Sequence, residues 1–475
     1  MTQKSVSSAA LAELRRAVRG PVLVSGDPTY DETRIAWNGM FDYRRPAVIV
    51  QATGVADVQA AIAFARANDL AIAVRGGGHS VSGSSTIDDD GLLLDMSPLR
   101  GVHVDPVRRR AVVGAGTLLG EMDRETQVHG LAAPGGMISQ TGVAGLTLGG
   151  GVGRFMRKVG LACDNVISFD MVAADGEWLH VAADSHPDLF WALRGGGGDF
   201  GVVTHFEFQL HPLGPMVYGG YLGWPLDQAK EVLAQLREEI HEAPDELQLE
   251  FILATAPEVL EFIPTEVRGR PILMLATTWM DNDLEEGKRR IAPFREKVTP
   301  VLEVLGEFSY AGLQAAADEM ATPGRRFYTK TGYFDELTDE VIDVSVAFAE
   351  EFPSRFALIE IYQMGGAISR VPKDATAAYA FRDAGWYYIA SGAHHVESED
   401  EVCEDWVRRL DAAYDPLRLP GRYINFVADD DLEGQREAIG EQTFARLAEI
   451  KANYDPHGVF ARNPNRRTQP AVATA

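Results

Sequence analysis

Three glycine-rich segments, all within the first 201 residues, constrain this chain more than any other feature. The first is Arg75-Gly76-Gly77-Gly78-His79-Ser80, which follows a short apolar run that predicts a buried strand. The other two are residues 142–153, GVAGLTLGGGVG, and 195–201, GGGGDFG. Glycine lets a backbone approach a ligand closely and present its N–H groups to it. Together the segments predict a large, phosphate-bearing cofactor held mostly by main chain, with His79 beside it.

The size and charge of the chain exclude several classes of protein. Its 475 residues allow two or three domains with a sizeable core. The formal net charge of -25 disfavours nucleic acid or anionic membrane as a partner and favours neutral or cationic substrates. No apolar run approaches the roughly 18 residues of a membrane span, and segment 7–19 lacks the apolar core of a signal peptide. We therefore expect a cytoplasmic protein without a membrane partner; its oligomeric state stays open.

The pattern of helix and strand signals changes along the chain. Apolar spacing predicts four early strands, at 47–50, 70–74, 92–95 and 111–113. It predicts helices over 54–70 and 117–128, the second with Thr117 as N-cap, and a hairpin over 167–181. After residue 212 the glycine segments stop, and long charged helices appear at 226–241 and 283–298. Strand candidates there are 247–253, 271–278 and 356–362, which indicates a second, α+β domain with a mainly antiparallel sheet.

Several familiar motifs do not account for these features. The glycines of 149–153 lie too close together for the dinucleotide-binding fingerprint, and none of the loops carries the Gly-Lys-Ser/Thr of a P-loop. Asp199-Phe200-Gly201 matches a kinase triplet, but no kinase catalytic loop accompanies it. His394-His395 lacks a third ligand at a convincing spacing, so a solvated loop is favoured over a metal site. The two cysteines, Cys163 and Cys403, cannot form a cysteine-rich metal site.

Four separated segments carry a family resemblance. They are 75–80, 142–165, 188–204, and a terminal stretch with Tyr423-Ile424-Asn425, 451–456 and Asn463-x-Asn465. The chain resembles the berberine-bridge-enzyme-like FAD-linked oxidases, and within them the bacterial 6-hydroxynicotine-oxidase-like subgroup. The resemblance implies an α+β fold with a two-subdomain, PCMH-type FAD-binding domain built from 1–212 and 418–475. Segment 213–417 would form a substrate domain whose antiparallel sheet, covered by helices, roofs the flavin.

The resemblance also implies how FAD is held. His79 would form a covalent bond with the 8α-methyl carbon of the flavin. Many family members have a second bond through a cysteine at the position of Ile138 here, so a single covalent link is expected. Further contacts with FAD are implied at matching positions: Arg75, Gly76, Gly77, Gly78, Ser80, Gly83, Gly136, Thr141, Gly142, Gly145, Leu146, Gly149, Gly153, Val203, Asn463 and Asn465.

The implied reaction is transfer of a hydride from a substrate C–H to the flavin, with a protein base for the adjacent O–H or N–H. Strand alternation places Glu360 and Tyr362 on one face, and the corresponding family strand contacts substrate. These two are therefore candidate catalytic residues, with a solvent-facing Glu360 as the alternative. Tyr423 is a third candidate catalytic residue, because it matches the first tyrosine of the family pattern Tyr-x-Asn-Tyr. The second is Phe426, which cannot act as a base, so the identity of the base stays open.

The electron acceptor is predicted from one position. Thr141 corresponds to the family residue that tunes oxygen reactivity, and its modest size favours an oxidase that reduces dioxygen to hydrogen peroxide. The alternatives are a dehydrogenase or oxidative cyclase with another acceptor, and a weakly catalytic flavin-binding protein, which Phe426 would suit. The substrate is expected to be a small molecule that the sequence does not identify.

Overall fold

A computed structural model of the chain describes residues 6–88, 90–258, 263–265, 267–378, 382–427, 436–438 and 440–460. The strands are β1 (Val22–Leu23), β2 (Val48–Gln51), β3 (Ala71–Arg75), β4 (Gly91–Asp95), β5 (Val102–Asp105), β6 (Arg110–Gly114), β7 (Leu131–Ala132), β8 (Val166–Ala173), β9 (Trp178–Ala182), β10 (Gly201–Gln209), β11 (His211–Pro212), β12 (Met216–Pro225), β13 (Leu247–Thr255), β14 (Pro271–Trp279), β15 (Leu302–Ser309), β16 (Arg326–Phe334), β17 (Leu358–Gln363) and β18 (Trp386–His394).

The α-helices lie between and around these strands. They are α1 (Ser8–Ala17), α2 (Tyr30–Arg34), α3 (Val55–Ala67), α4 (Leu119–Gln127), α5 (Val143–Leu148), α6 (Met156–Val159), α7 (Pro187–Leu193), α8 (Ala229–His241), α9 (Leu284–Glu296), α10 (Tyr310–Gln314), α11 (Asp339–Ala349), α12 (Ala367–Arg370), α13 (Asp400–Tyr414) and α14 (Glu441–Tyr454). Within the described part of the chain, none of them combines the length and the apolar character that a bilayer crossing requires.

Two sheets form the glycine-rich part of the molecule. The first has the strand order β1-β2-β4-β3, with β2, β4 and β3 parallel. The second is antiparallel, with the order β5-β6-β10-β8-β9. Helix α3 buries Val58, Ile62 and Ala65 in the core that the two sheets share. The first glycine segment begins where β3 ends, so a buried strand positions it.

The terminal helix α14 belongs to the same core. Leu447 and Ile450 of this helix, and Phe460 beyond it, are buried among the apolar side chains of the first two sheets. The amide of Ile72 in β3 donates to the carbonyl of Val459 over 2.9 Å, and the Lys451 ammonium donates to the Asp199 carbonyl. The end of the described chain therefore closes onto its first strands. The predicted limits of the FAD-binding parts, 1–212 and 418–475, and of the substrate domain, 213–417, stay predictions.

The third sheet is antiparallel and has seven strands in the order β15-β12-β14-β13-β17-β18-β16. Helices α8, α11 and α13 bury their apolar faces, including Leu236, Val346 and Trp406, on one side of it. The opposite side faces the glycine segments. Arg157, just after the second glycine segment, joins the two parts: its guanidinium donates to the carbonyls of Leu247 and Ala243, and to Gln363 Oε1, at 2.5–3.0 Å.

Local differences from the sequence predictions have physical causes. Helix α4 is capped at Leu118 and not at Thr117, because the Glu121 carboxylate accepts from the Leu118 amide at 2.8 Å. The solvated loop predicted at His394 is wrong for that residue. His394 ends β18, is 1% exposed, and its Nδ1 lies 3.0 Å from the Val396 carbonyl. In the described ranges no group of three His, Cys, Asp or Glu side chains could hold a metal ion.

Candidate active site

A cavity of about 950 Å³ lies between the glycine segments and the inner face of the seven-stranded sheet. The predicted catalytic residues Glu360, Tyr362 and Tyr423 all line it. The predicted cofactor contacts that line it are Gly76, Gly77, Gly78, His79, Ser80, Gly136, Thr141, Gly142, Gly145, Leu146, Gly149 and Val203. Residues from distant parts of the chain thus meet around one space.

The first two glycine segments touch each other at the cavity wall. A Cβ on Gly77 would lie 2.4 Å from the Cα of Gly142, so neither position accepts a side chain without displacing the other backbone. Gly78 has a φ of +78°, a left-handed conformation that favours glycine. The contact leaves main chain, and no side chain, facing the cavity at this point.

Three predicted cofactor contacts lie outside the cavity lining. The Arg75 guanidinium donates to three backbone carbonyls behind the first segment, at 2.5–3.1 Å. Gly83 lies against the ring of Phe41, where a Cβ would come within 2.7 Å. A Cβ on Gly153 would lie 1.5 Å from the Gly135 carbonyl oxygen. These positions shape the loops from outside the cavity.

His79 is held at the cavity wall by an aromatic stack. Its ring lies 3.8 Å from that of Trp37, centroid to centroid, and Trp37 stacks on Phe327 at 4.6 Å. His79 Nε2 is buried and has no hydrogen-bond partner. Burial lowers the pKa of His79 to about 4, so the imidazole is neutral at physiological pH and keeps one nitrogen without a proton.

Strand register explains how the large sheet contributes to the cavity. Glu250 on β13 lies directly opposite Tyr362 on β17, which lies opposite Tyr387 on β18. Side chains alternate along each strand, so Glu360, two residues before Tyr362, faces the same cavity. The alternative of a solvent-facing Glu360 does not apply. Two carboxyl groups therefore share one wall, with a tyrosine hydroxyl beside both.

The charges at this wall are arranged unequally. The pKa of Glu360 is raised to about 8, first by burial and then by the charge of Glu250. Burial also raises the pKa of Glu250, and the charge of Arg154 is the main opposing effect. Arg154 is itself buried and extends from the second glycine segment towards the sheet, 3.3 Å from Gln314 Oε1. Arg154 thus favours an ionised Glu250, while the proton stays on Glu360.

Tyr423 is engaged with the second glycine segment. Its hydroxyl oxygen accepts from the amides of Gly151 and Val152, at 3.0 and 3.1 Å, and from Asn425 Nδ2 at 2.9 Å. Burial raises the pKa of Tyr423, and the three N–H donors oppose that rise. Phe426 packs beside it with ring centroids 5.8 Å apart. The hydrogen bonds tie Tyr423 to the loop backbone.

The remaining predictions concern the second covalent link, the oxygen-tuning position and the two terminal asparagines. Ile138 and Thr141 both line the cavity, and no cysteine does. Cys163 and Cys403 are free and buried. Asn463 and Asn465 lie outside the described residues.

The cavity-lining residues that sequence reasoning missed include Trp37, Arg154, Tyr221 and Glu250. Glu250 carried a usable signal, because 247–253 was predicted as a strand and Glu250 alternates on one face with Gln248 and Ile252. Arg154 is next to a glycine that was singled out. The position of Trp37 against His79 depends on a contact that no local pattern contains.

Comparison with known proteins decides the family. The chain matches the FAD binding domain model over residues 46–182 and the berberine and berberine-like model over 422–465. An uncharacterised FAD-linked oxidoreductase of Bacillus subtilis, YgaK, is 30% identical over 93% of this chain and 95% of its own length. The chain belongs to the berberine-bridge-enzyme-like family of FAD-linked oxidoreductases.

Two further relatives support this membership. The (R)-6-hydroxynicotine oxidase of Paenarthrobacter nicotinovorans is 28% identical over 94% of this chain and 97% of its own. The crystal structure of 6-hydroxy-D-nicotine oxidase from Arthrobacter nicotinovorans superposes with a TM-score of 0.82, at 27% identity, 94% coverage of this chain and 97% of its own. The predicted α+β fold, with its PCMH-type FAD-binding domain and antiparallel sheet, is confirmed, and this berberine-bridge-enzyme-like protein is an enzyme.

The residues present fit FAD. Gly77 and Gly142 meet backbone to backbone and leave a main-chain cradle without side chains at the cavity wall, and the cavity beside them has the size that a large cofactor needs. The buried Nε2 of His79 lacks a partner at the same wall. Buried polar atoms are normally hydrogen-bonded, so a group that approaches this histidine is expected.

Proposed function

We propose that this protein is an oxidase that oxidises a small-molecule substrate and passes the electrons to dioxygen, forming hydrogen peroxide. Bound FAD would supply a two-electron acceptor for the substrate hydride and a site from which dioxygen regains those electrons. The observation that carries the proposal is the pair Glu250 and Glu360, which faces the glycine cradle across the cavity.

The carboxyl pair would handle the substrate proton. An alcohol or amine must lose its O–H or N–H proton as the neighbouring C–H loses a hydride. Arg154 favours the ionised form of Glu250, so Glu250 accepts this proton in the proposal. Glu360, which keeps its own proton at neutral pH, donates a hydrogen bond to the substrate heteroatom. The hydroxyl of Tyr362 lies beside both carboxyl groups and orients them.

Tyr423 takes a different part in this scheme. Its hydroxyl oxygen already accepts three N–H hydrogen bonds, two of them from the second glycine segment. We therefore propose that Tyr423 positions that segment. Because Glu250 is the base in this scheme, the phenylalanine at position 426 does not remove it.

The scheme includes a single covalent bond between FAD and His79. The neutral imidazole keeps a nitrogen lone pair that could bond to the 8α carbon. As that bond forms, the methyl group would lose a proton and the C–H electron pair would pass into the flavin ring, which dioxygen would then reoxidise. No second bond is expected, because Ile138 replaces the cysteine and both cysteines are buried away from the cavity.

Mass spectrometry of the digested holoenzyme tests this link. FAD should be found on the peptide that contains His79, and His79→Ala should release all flavin on denaturation. Cys163→Ser is the matched control and should keep the flavin bound. Flavin attached to a cysteine-containing peptide would overturn the single histidine link.

Reoxidation kinetics test the acceptor. Thr141 lines the cavity, and its small side chain supports access of dioxygen to the flavin. Photoreduced enzyme mixed with air-saturated buffer should reoxidise rapidly and release one hydrogen peroxide per flavin. Thr141→Ile should slow this step without slowing reduction by substrate. Slow reoxidation in air, together with fast reoxidation by an artificial acceptor, would favour a dehydrogenase instead.

A further inference from the structure

The cavity extends beyond the carboxyl pair along β17 and β16. On β17 the side chains that face it continue from Glu360 through Leu358 to Phe356, just before the strand. On β16 they continue through Phe327 to Arg325 in the same way. Phe356, Arg325 and the neighbouring Arg355 thus form the end of the cavity away from Tyr362.

Both arginines lie close to one aromatic ring. The guanidinium carbon of Arg325 lies 4.1 Å from the centroid of the Phe356 ring, and that of Arg355 lies 4.7 Å from it. Arg325 is 7% exposed, whereas Arg355 is exposed. Arg325 Nη1 donates to the Met320 carbonyl at 2.5 Å, but its Nε is buried without a partner. The guanidinium group is held in place with donor capacity left over.

Among the described residues, no carboxylate balances the positive charge of Arg325 and Arg355. Although the chain carries a net charge of -25, no described carboxylate lies within 4.0 Å of Arg325 or Arg355. Glu319, which lines the same end of the cavity, is exposed and beyond that distance. Burial and the charge of Arg355 both lower the pKa of Arg325, so the two cations repel each other. An anion that contacts both guanidinium groups would offset that repulsion.

We propose that Arg325 and Arg355 bind an anionic group of the substrate, a carboxylate or a phosphate. This inference rests on the oxidase function proposed above and names the substrate class for the same site. Guanidinium groups recognise both anions through paired N–H donors. Phe356 lies in the turn before β17, four residues from Glu360, so the two Cα atoms are at most about 13 Å apart. The substrate is therefore elongated, with its anion at one end and its oxidised carbon at the other.

The segment between the two ends is suited to an apolar body. Leu358 lies between Phe356 and Glu360 on the cavity face, and Ile252 and Ile389 flank Glu360 on the neighbouring strands. A charged group in the middle of the substrate would face these side chains without a partner. The net negative charge of the whole chain favours neutral or cationic ligands only at long range, where salt screens it. Contacts inside the cavity decide the class.

Calorimetric titration tests the proposal without turnover. The probes are ω-phenylalkanoates of increasing chain length, their matching primary alcohols, and the corresponding alkyl phosphates, each added to oxidised holoenzyme. At the best length we expect the carboxylate or the phosphate to bind about tenfold or more tightly than the alcohol. The better of the two anions identifies the natural group. Equal affinity for acids and alcohols at every length, or no saturable binding of any anion, would overturn the proposal.

Variants assign the preference to the two arginines. Arg355→Met and Arg325→Met should each reduce the preference for the anion over the alcohol, and Arg355→Lys should keep part of that preference. The side chain of Arg355 is exposed, so its replacement should not disturb folding. Arg295→Met is the control, because Arg295 pairs with Glu303 at the surface. A preference that survives in Arg355→Met and in the double variant contradicts the proposal. If neutral substrates reduce the flavin as well as anionic ones do, the anion site is wrong and the oxidase function stands. If anions bind preferentially but none of them reduces the flavin, the anion site stands and the oxidase function is wrong.

Discussion

At the scale of single residues, the difference between Glu250 and Glu360 lies in what surrounds each carboxyl group. The two side chains face one cavity and both are desolvated, but Arg154 opposes the pKa rise of Glu250 more strongly than that of Glu360. One buried cation therefore makes two chemically identical groups unequal. Pairs of acids whose pKa values are separated by their surroundings are a common basis for acid–base catalysis.

Replacing Glu250 should change the titration of Glu360. Glu250→Gln removes a nearby negative charge, so the pKa of Glu360 should fall from about 8, while burial keeps it above the ordinary range. Infrared difference spectroscopy of the protonated carboxyl band reports this shift independently of activity. The same variant should slow anaerobic flavin reduction by about 10²–10⁴-fold, as expected for loss of a general base. Glu303→Gln, at the surface, is the control; an unchanged titration of Glu360 would contradict the coupling.

Asp123 should make stability fall as the pH rises. It is buried on α4, its Oδ2 has no partner, and burial raises its pKa to about 8. The folded protein thus holds this proton more tightly than the unfolded chain does. The stabilisation is present below about pH 4 and is lost towards pH 8. Asp123→Asn should leave the melting temperature nearly unchanged below about pH 4 and raise it increasingly up to about pH 8.

Asp57 provides a control of opposite sign. Its carboxylate accepts from the amides of Arg19, Gly20 and Thr53, and these bonds lower its pKa in spite of burial. Its stabilisation is present at neutral pH and is lost as the pH falls below the ordinary aspartate range. Asp57→Asn should therefore lower the melting temperature at pH 7. If the difference in melting temperature between wild type and Asp123→Asn is the same at every pH, Asp123 does not cause the loss of stability.

At the scale of elements, contacts between loop backbones are enough to explain why some positions are glycine. Gly153 does not line the cavity, but it packs against the carbonyl of Gly135. Its φ is not in the left-handed region, so the constraint is purely the space available. Gly77 is likewise limited by the space that the backbone of Gly142 leaves.

Gly153→Ala should destabilise the protein even without cofactor. The new Cβ would lie 1.5 Å from a backbone oxygen that cannot rotate away, so the loop must move. We expect a loss of about 1–3 kcal/mol or more in the free energy of unfolding, measured by urea denaturation of flavin-free protein. Gly54→Ala, which has no atom within 4 Å of its Cβ, is the control. Normal apoprotein stability together with weak FAD binding would assign Gly153 to the cofactor instead.

The sequence predicted those elements whose signals are local. The strand before the first glycine segment, helix α3 and the hairpin of β8 and β9 appear within a residue or a few of their expected limits. In the second domain only three of the seven strands were singled out. Strand β18 is buried along its whole length, so it lacks the alternation of apolar and polar residues that would reveal it, and β12 is interrupted by Gly219, Gly220 and Gly223.

The candidate site was predicted in parts for the same reason. His79 and Glu360 are recognisable because a motif or a strand pattern contains them. The pairing of Glu250 with Tyr362 depends on the register of two strands more than a hundred residues apart. Trp37 reaches His79 through tertiary packing. Such relations are properties of the folded chain and have no signature in any single segment.

At the scale of the whole molecule, Arg157 couples the cofactor loops to the substrate sheet. Its guanidinium is buried, and burial lowers its pKa to about 10, yet it donates to three acceptors on the far side of the interface. Because the charge and its acceptors are shielded from water, separating the two parts would expose several unpaired groups at once.

Arg157→Met should weaken this coupling. We expect a loss of about 3 kcal/mol or more in the free energy of unfolding, because two backbone carbonyls and the Gln363 amide oxygen lose their donor, at about 1–3 kcal/mol for each buried group. Denaturant unfolding followed by tryptophan fluorescence and by flavin release should give separate transitions in place of one. Arg295→Met is again the surface control. A single transition of wild-type midpoint would show that Arg157 does not join the two parts.

The closure of the terminal segment onto β3 has a consequence for how the enzyme is made. The strand that carries the first glycine segment is synthesised early, but its partner at Val459 and the lysine that contacts the third segment leave the ribosome hundreds of residues later. A nascent chain therefore cannot complete these contacts until residues 451–459 have been synthesised. The finished site for the flavin thus forms only after most of the chain has left the ribosome, although its first glycine segment is made early.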